Sequence, residues 1–426
     1  MKLSRRDWLA TVMGCAVRSS LGGAVWTLTS TSRVARAQPA AARVEPTALT
    51  ERIARLIREY EEQGAHRTAT AVDEQSAAWL MAQVKQAGLT PAREPFEIER
   101  VDVNQAALVA ENRRVPGIPL FDGGFTDKNG VRGRLGPLGS TAEIGLADLV
   151  PNQAGGGALG EARRKSQHQA IVCVTRGGRP GLSPSNADEF LQPFGPPVVQ
   201  VSSETGEWLT GLAQRAALVR LYAQVTRMRA AAYNVTTTLA GADRTLPPLV
   251  VMTPRSGWYS CASERGGGIV CWLELMRTLK QPALSRDVLF VASSGHELGH
   301  LGINAYIAER SDLVKRAVGW MHFGANIGAA TENGNTIQAS DDRNESVLAR
   351  EMEQAGLPIT VRAPRGRVPG GEAEAVHRGG GRYVSVIGRN ALFHNPDDRG
   401  PGAVNVAAVA RFIDVFTSVA RTLSAA

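Results

Sequence analysis

The sequence predicts an α/β protein: a three-layer, mostly parallel mixed sheet flanked by helices on both faces, interrupted by a small β-rich insert. Three observations carry this reading. Short apolar, partly β-branched runs at residues 249–253, 288–292, 318–323 and 383–387 read as strands buried on both faces. Segments with helical spacing separate them, and such alternation means a parallel sheet with helices packed on it. From residue 112 to 228 the texture changes to Gly, Pro and short strands, which marks an inserted module. No internal repeat is visible.

In chain order, residues 1–37 read as an export signal. Ser4-Arg5-Arg6-Asp7-Trp8-Leu9 is a twin-arginine pattern, a weakly apolar stretch interrupted by Arg18 follows, and Ala35-Arg36-Ala37 is a small-x-small cleavage site. The expected destination is the periplasm or the medium. No run approaches the roughly 20 apolar residues of a spanning helix, so no transmembrane anchor is expected once the signal is removed. The formal charge of +8 includes Lys2, Arg5, Arg6, Arg18, Arg33 and Arg36 against Asp7, a net of +5, so residues 38–426 carry +3. A nucleic-acid partner loses its support with that correction.

Residues 38–47 form an Ala/Pro linker. Helices are predicted at 49–63, on the spacing of Ile53, Leu56 and Ile57, and at 71–86, ending at Gly88. Residues 96–103 alternate as a strand. Inside the insert, 170–175, 197–202 and 218–223 read as strands, and 155–160 as a glycine-rich loop. Beyond it come strands at 233–239, 249–253, 288–292, 318–323, 359–362 and 383–387. Helices are expected at 268–280, 303–310, 344–355 and 404–423. The main domain thus comprises 38–111 and 229–426, with 112–228 inserted.

The ionisable residues cluster where the strand at 288–292 ends. His296, Glu297 and His300 follow within a few positions, at the carboxyl end of a buried strand, where open α/β sheets place their sites. Read literally, His296-Glu-Leu-Gly-His300 is H-E-x-x-H, which needs both histidines on one face of a continuous helix. Gly299, with Gly295 and Gly302 on either side, opposes that helix, so His300 is expected to pack rather than to ligate. Gly266, Gly267 and Gly268 open a helix without phosphate-loop spacing. Ser256 and Ser260 have no partner assignable from sequence, and His66 and His168 read as structural or exposed. Cys15 leaves with the signal; Cys173, Cys261 and Cys271 show no C-x-x-C spacing, which excludes a disulfide framework or a thiolate zinc site. Cys261 and Cys271 either pair in an oxidising compartment or, for Cys271, pack the core.

Five patches in order carry a resemblance: His66-Arg67-Thr68, Leu249-Val250-Val251-Met252, residues 264–275, residues 295–302, and Phe393-His394-Asn395-Pro396-Asp397-Asp398. With them the chain resembles the zinc aminopeptidase family that includes bacterial leucyl aminopeptidases, glutamate carboxypeptidase II, glutaminyl cyclase and the transferrin receptor. Residues 112–228, followed by Ala232-Tyr233-Asn234-Val235, look like the protease-associated domain that many members insert. The resemblance implies a site at strand ends, where carboxylates and imidazoles hold zinc and a base deprotonates its water. The chain departs from the family pattern in several places. Thr253-Pro254-Arg255-Ser256 stands at the His-x-Asp motif, Glu264 at the bridging Asp, His296 at the catalytic Glu, and His322 at a later Asp. Only Glu297 and His394 match outright.

What the resemblance implies is a reduced site, with one zinc ion held by Glu264, Glu297 and His394 and His322 as a further ligand. His296 would be the base, and Arg255, Ser256, Glu372 and Glu374 would line the substrate pocket. The expected activity is metal-dependent hydrolysis of a peptide or small amide bond. The alternative is a metal-free, non-catalytic member that binds a peptide or partner, with Glu264 paired to Arg255 or Arg265.

Overall fold

The computed structural model describes residues 47–425, so the expected export signal lies outside the described residues. The first helix starts at a reciprocal cap: the Thr47 hydroxyl accepts the Thr50 N–H, and the Thr47 N–H donates to the Thr50 hydroxyl. The first half of the chain runs α1 (Ala48–Glu61), α2 (Ala71–Gln86), β1 (Ala92–Ala110), β2 (Arg113–Pro119), β3 (Val131–Pro137), β4 (Ile144–Leu149), α3 (Gly157–Lys165), β5 (Ala170–Thr175), β6 (Val198–Val201), α4 (Gly206–Gln214) and β7 (Leu218–Leu239). The second half runs β8 (Leu249–Pro254), α5 (Gly266–Thr278), β9 (Val288–Ser293), α6 (Leu301–Ala308), α7 (Leu313–Arg316), β10 (Gly319–Phe323), β11 (Asn335–Ala339), α8 (Asp342–Gln354), β12 (Ile359–Arg362), α9 (Ala373–Arg378), β13 (Tyr383–Gly388) and α10 (Val406–Ser424).

The strands form one mixed sheet in the order β1-β2-β6-β5-β4-β3-β7-β9-β8-β10-β13-β11-β12. Its centre, β9-β8-β10-β13, is parallel. Antiparallel β7 and β11 border that block. Successive side chains of a strand point to opposite faces, and the core follows that period. Leu249, Val251, Phe290, Met321, Phe323, Val384 and Val386 pack on one face with residues of α1, α5, α8 and α10. Val250, Met252, Val291, Trp320 and Tyr383 pack on the other with residues of α6, α7 and α9. Burial on both faces explains why these strands are mostly apolar runs in sequence rather than alternating ones.

The region expected as an insert has cores of its own. Ala170, Val172 and Val174 of β5 join one cluster, which reaches Leu209 and Leu212 of α4, while Ile171 and Cys173 join another with Leu159. Several elements differ from expectation. Most of the glycine-rich loop expected at 155–160 is the first turn of α3. The strand expected at 96–103 is the middle of the 19-residue β1, and the two strands expected at 218–223 and 233–239 are a single β7. These two pair along nearly their whole length, and the stretch that joins the two halves of β7, residues 226–229, is solvent-exposed and carries no buried period. β11 also went unanticipated, since Asn335-Thr336-Ile337-Gln338-Ala339 offers one large apolar side chain. Cys173, Cys261 and Cys271 are buried free thiols, so Cys261 and Cys271 do not pair. No helix among the described residues is long and apolar enough to cross a membrane.

Candidate active site

The parallel block brings the predicted residues to its carboxyl edge. β9 ends at Ser293, and the chain then turns three times through the left-handed region, at Gly295 (φ 84°), Gly299 (φ 81°) and His300 (φ 61°). A helix cannot pass through such residues. His296 to Leu298 is one short 3₁₀ turn, and α6 begins only at Leu301. H-E-x-x-H is therefore not a helical zinc motif here, and His300 meets His296 edge-on with 4.9 Å between ring centres.

His322 lies two residues after Trp320 on β10, so the strand period turns it to the same face, toward the start of α9. Glu372, the residue before α9, joins the two histidines there. One of its oxygens lies 2.9 Å from His296 Nδ1 and the other 3.2 Å from His322 Nε2, while His322 Nδ1 lies 2.8 Å from the Ser385 hydroxyl of β13. Burial pushes the Glu372 carboxyl up, but the bonds from His296 and His322 outweigh it and hold it well below its ordinary value. Burial, with Arg265 adding to it, pushes His296 down to about 4. At neutral pH His296 is thus a neutral imidazole whose Nδ1–H donates to an ionised carboxylate.

Glu264 sits one residue before the N-cap of α5, its backbone N–H donating to Asp398. Its carboxylate lies 2.7 Å from the Arg265 guanidinium and 3.4 Å from His394 Nε2, with the Cys261 thiol 3.6 Å away. Burial opposes ionisation of Glu264, but Arg265 and then His394 override it and hold the carboxyl below its usual range. Arg265 is fully buried and donates through Nε to the Ser256 carbonyl at 2.7 Å. His394, itself at φ 56°, donates from Nδ1 to the Pro184 carbonyl at 2.6 Å, and its Nε2 has no hydrogen-bond partner. Both oxygens of Glu297 are engaged: one accepts the Thr68 N–H at 2.7 Å, the other the Ser256 hydroxyl at 2.8 Å.

Each expected ligand is therefore engaged by partners of its own. Glu264 faces Arg265 and His394, His322 faces Glu372 and Ser385, and Glu297 is held by Thr68 and Ser256. Among the described residues no three His, Cys, Asp or Glu side chains are arranged to hold a metal ion. The donor chemistry agrees, because a carboxylate in charge contact with a buried guanidinium and one free imidazole nitrogen fall short of the three or four ligands zinc takes. The pocket residues also need correction. Arg255 is turned inward, donating to Asp73 at 2.8 Å and to the Tyr233 carbonyl at 2.5 Å. Ser256 accepts the N–H groups of Gly295 and His296. Glu374 pairs along α9 with Arg378. Of the four, only Glu372 hydrogen-bonds the imidazole of the candidate base.

A segment between β5 and β6 also packs against the site, which sequence reasoning missed. The Leu182 carbonyl accepts from Tyr259, Asn186 from the Trp258 indole, and the Ala187 N–H donates to the Glu297 carbonyl. Its run of Gly, Pro and Ser offers no period to read. With this segment in place, Glu264, His322, Glu372 and His394 are all at most 1% exposed.

The fold is that of known zinc aminopeptidases. BSAP, a zinc aminopeptidase from Bacillus subtilis, superposes with a TM-score of 0.71 at 16% identity, covering 87% of this chain and 93% of that one. A peptidase M28 precursor from Shewanella amazonensis SB2B gives 0.66 at 15% identity, covering 88% and 96%. The aminopeptidase of Aneurinibacillus sp. strain AM-1 gives 0.65 at 15%, covering 87% and 92%. No protein-family model matches the chain, and no curated protein does either.

Proposed function

We propose that this chain is a metal-free member of the aminopeptidase fold that binds a peptide rather than cleaving it. The observation that carries this is the state of the two acidic residues expected to hold metal: Glu264 is neutralised by Arg265, and both oxygens of Glu297 accept protein hydrogen bonds. A groove of about 380 Å³ offers a place for the ligand, lined by Ile98, Phe190, Leu191 and Pro193. Its charged walls are paired among themselves, Arg227 with Glu99 and Arg229 with Glu97, so the free surface is apolar and suits a nonpolar peptide side chain. Leu191 is 74% exposed there. The test is metal analysis of the mature protein after expression with zinc, together with amino-acyl anilide hydrolysis and peptide calorimetry. Expected are less than about a tenth of an equivalent of zinc, no turnover, and peptide binding weakened by Leu191→Asp. Stoichiometric zinc or turnover would overturn the reading.

One observation favours a second reading, hydrolysis of a peptide or other amide. His296 is neutral and oriented by an ionised Glu372, as a general base is. Turnover abolished by His296→Ala would establish it. We further propose export through the twin-arginine route, and a protease-associated-like character for residues 112–228. Changing Arg5 and Arg6 to Lys should strand the precursor in the cytoplasm; unchanged export would refute that route.

A further inference from the structure

Arg265 stands where electrostatics alone would not put a cation. It is the N-cap residue of α5, a 13-residue helix, beside that helix's unpaired N–H groups and positive dipole end. Its guanidinium is fully buried, and a buried charge is costly unless the surroundings compensate it. The compensation comes from anions: Glu264 in contact, and Glu372 close enough to favour the charged form. The contact is one of charge rather than of an aligned fork. Arg265 has no aligned acceptor at either terminal nitrogen, and the Glu264 oxygen 2.7 Å away likewise lacks an aligned donor.

Behind this cation lies an unfinished pair. His394 commits its Nδ1–H to a backbone carbonyl, which is how a metal-ligating histidine is commonly oriented. That leaves Nε2 buried, without a partner, and 3.4 Å from a Glu264 oxygen that also lacks an aligned donor. The positive charge of Arg265 lies beside this pair, 2.7 Å from the Glu264 carboxylate.

We propose that Arg265 supplies, as a tethered guanidinium, the positive charge for which the zinc-binding relatives of this fold use a metal ion, and so balances the buried Glu264 in its place. This rests on the metal-free reading above and adds the residue responsible. It assigns Arg265 a positioning and neutralising role, with no contact to a substrate.

The experiment uses the full mature chain and Arg265→Gly, with thermal unfolding as the readout. Removing the guanidinium leaves Glu264 buried and uncompensated, so Tm should fall by about 6–10 °C. Guanidinium ion at a few tens of millimolar, against equal NaCl, should restore most of that loss in the variant and leave the unaltered protein unmoved. A variant that guanidinium ion does not restore overturns the proposal while the metal-free reading stands. Zinc in the unaltered protein overturns that reading instead. Should Arg265→Gly fail to fold, Arg265→Met must be less stable than the double variant Glu264→Gln/Arg265→Met. Equal stability of Arg265→Met and the unaltered protein would also overturn the proposal.

Discussion

Two histidines held neutral in the interior should make this protein acid-labile well above the range where carboxylates titrate. His66 stacks flat on Tyr60 with 3.8 Å between ring centres, and burial pushes it down to about 3. His296 is pushed down to about 4. Both lie below the unfolded value of 6.5, so the stability they contribute is present above that pH and lost as pH falls, because only the unfolded chain takes up the protons. The slope reaches about 1.36 kcal/mol per pH unit for each, and from pH 7.5 to 5 the pair removes about 4 kcal/mol. Asp398 works the other way. Burial raises its carboxyl to about 6, so the folded state takes up that proton first and regains about 1.4 kcal/mol over the same interval. The depressed carboxyls of Glu264 and Glu372 matter only at lower pH. A net loss of about 2.5 kcal/mol remains, readable as a shift in urea midpoint at constant m. His66→Phe keeps the stack and should remove roughly half of the histidine contribution, about 2 kcal/mol. If the unaltered protein loses less than about 1 kcal/mol, or His66→Phe leaves the dependence unchanged, the reasoning is wrong.

Three further outcomes follow from buried contacts. Arg255→Ala strands Asp73, which is 1% exposed, and should cost about 3–5 kcal/mol in chemical denaturation. Gly267→Ala would place a Cβ 1.8 Å from the Ile327 carbonyl oxygen, forcing α5 away from the loop that follows β10, so a loss of about 2–3 kcal/mol or more is expected on the same assay. Glu372→Leu removes the acceptor shared by His296 and His322 and should cost about 1–3 kcal/mol, with the two imidazole resonances changed in NMR spectra.

How much of this was legible in the sequence depends on where the information resides. β8, β9, β10 and β13 were readable because each side of the sheet is covered, so most positions in those runs are apolar. β7 was read as two strands because its middle lies on an exposed ribbon, where only pairing with β1 makes it a strand. The site was legible as a list of residues at strand ends, and its chemistry was not. Whether Glu264 faces a metal or an arginine is decided by the direction of one side chain on the next residue, and both outcomes were compatible with the spacing. Glu372 was placed among pocket residues because its loop carries no period, whereas the fold makes it the link between His296 and His322.

The arrangement of charge is what the changed residues have in common. A divalent ion placed beside a fixed cation is repelled by it unless nearby anions compensate. Here Thr253-Pro254-Arg255-Ser256 stands where the resemblance expects His-x-Asp, and the Ser256 hydroxyl donates to Glu297. His296 stands where it expects the catalytic carboxylate, and it is neutral. His322 replaces another acid and donates to Glu372. Each change removes a negative charge or caps one with a donor, and Arg265 contributes a positive charge at the centre. These changes are mutually consistent: with the acids reduced, one guanidinium is enough to balance Glu264, and a divalent ion added beside it would leave excess positive charge in a dry interior. Restoring a single acid at position 256 or 322 should therefore not recover metal binding while Arg265 remains. The cation has to go first.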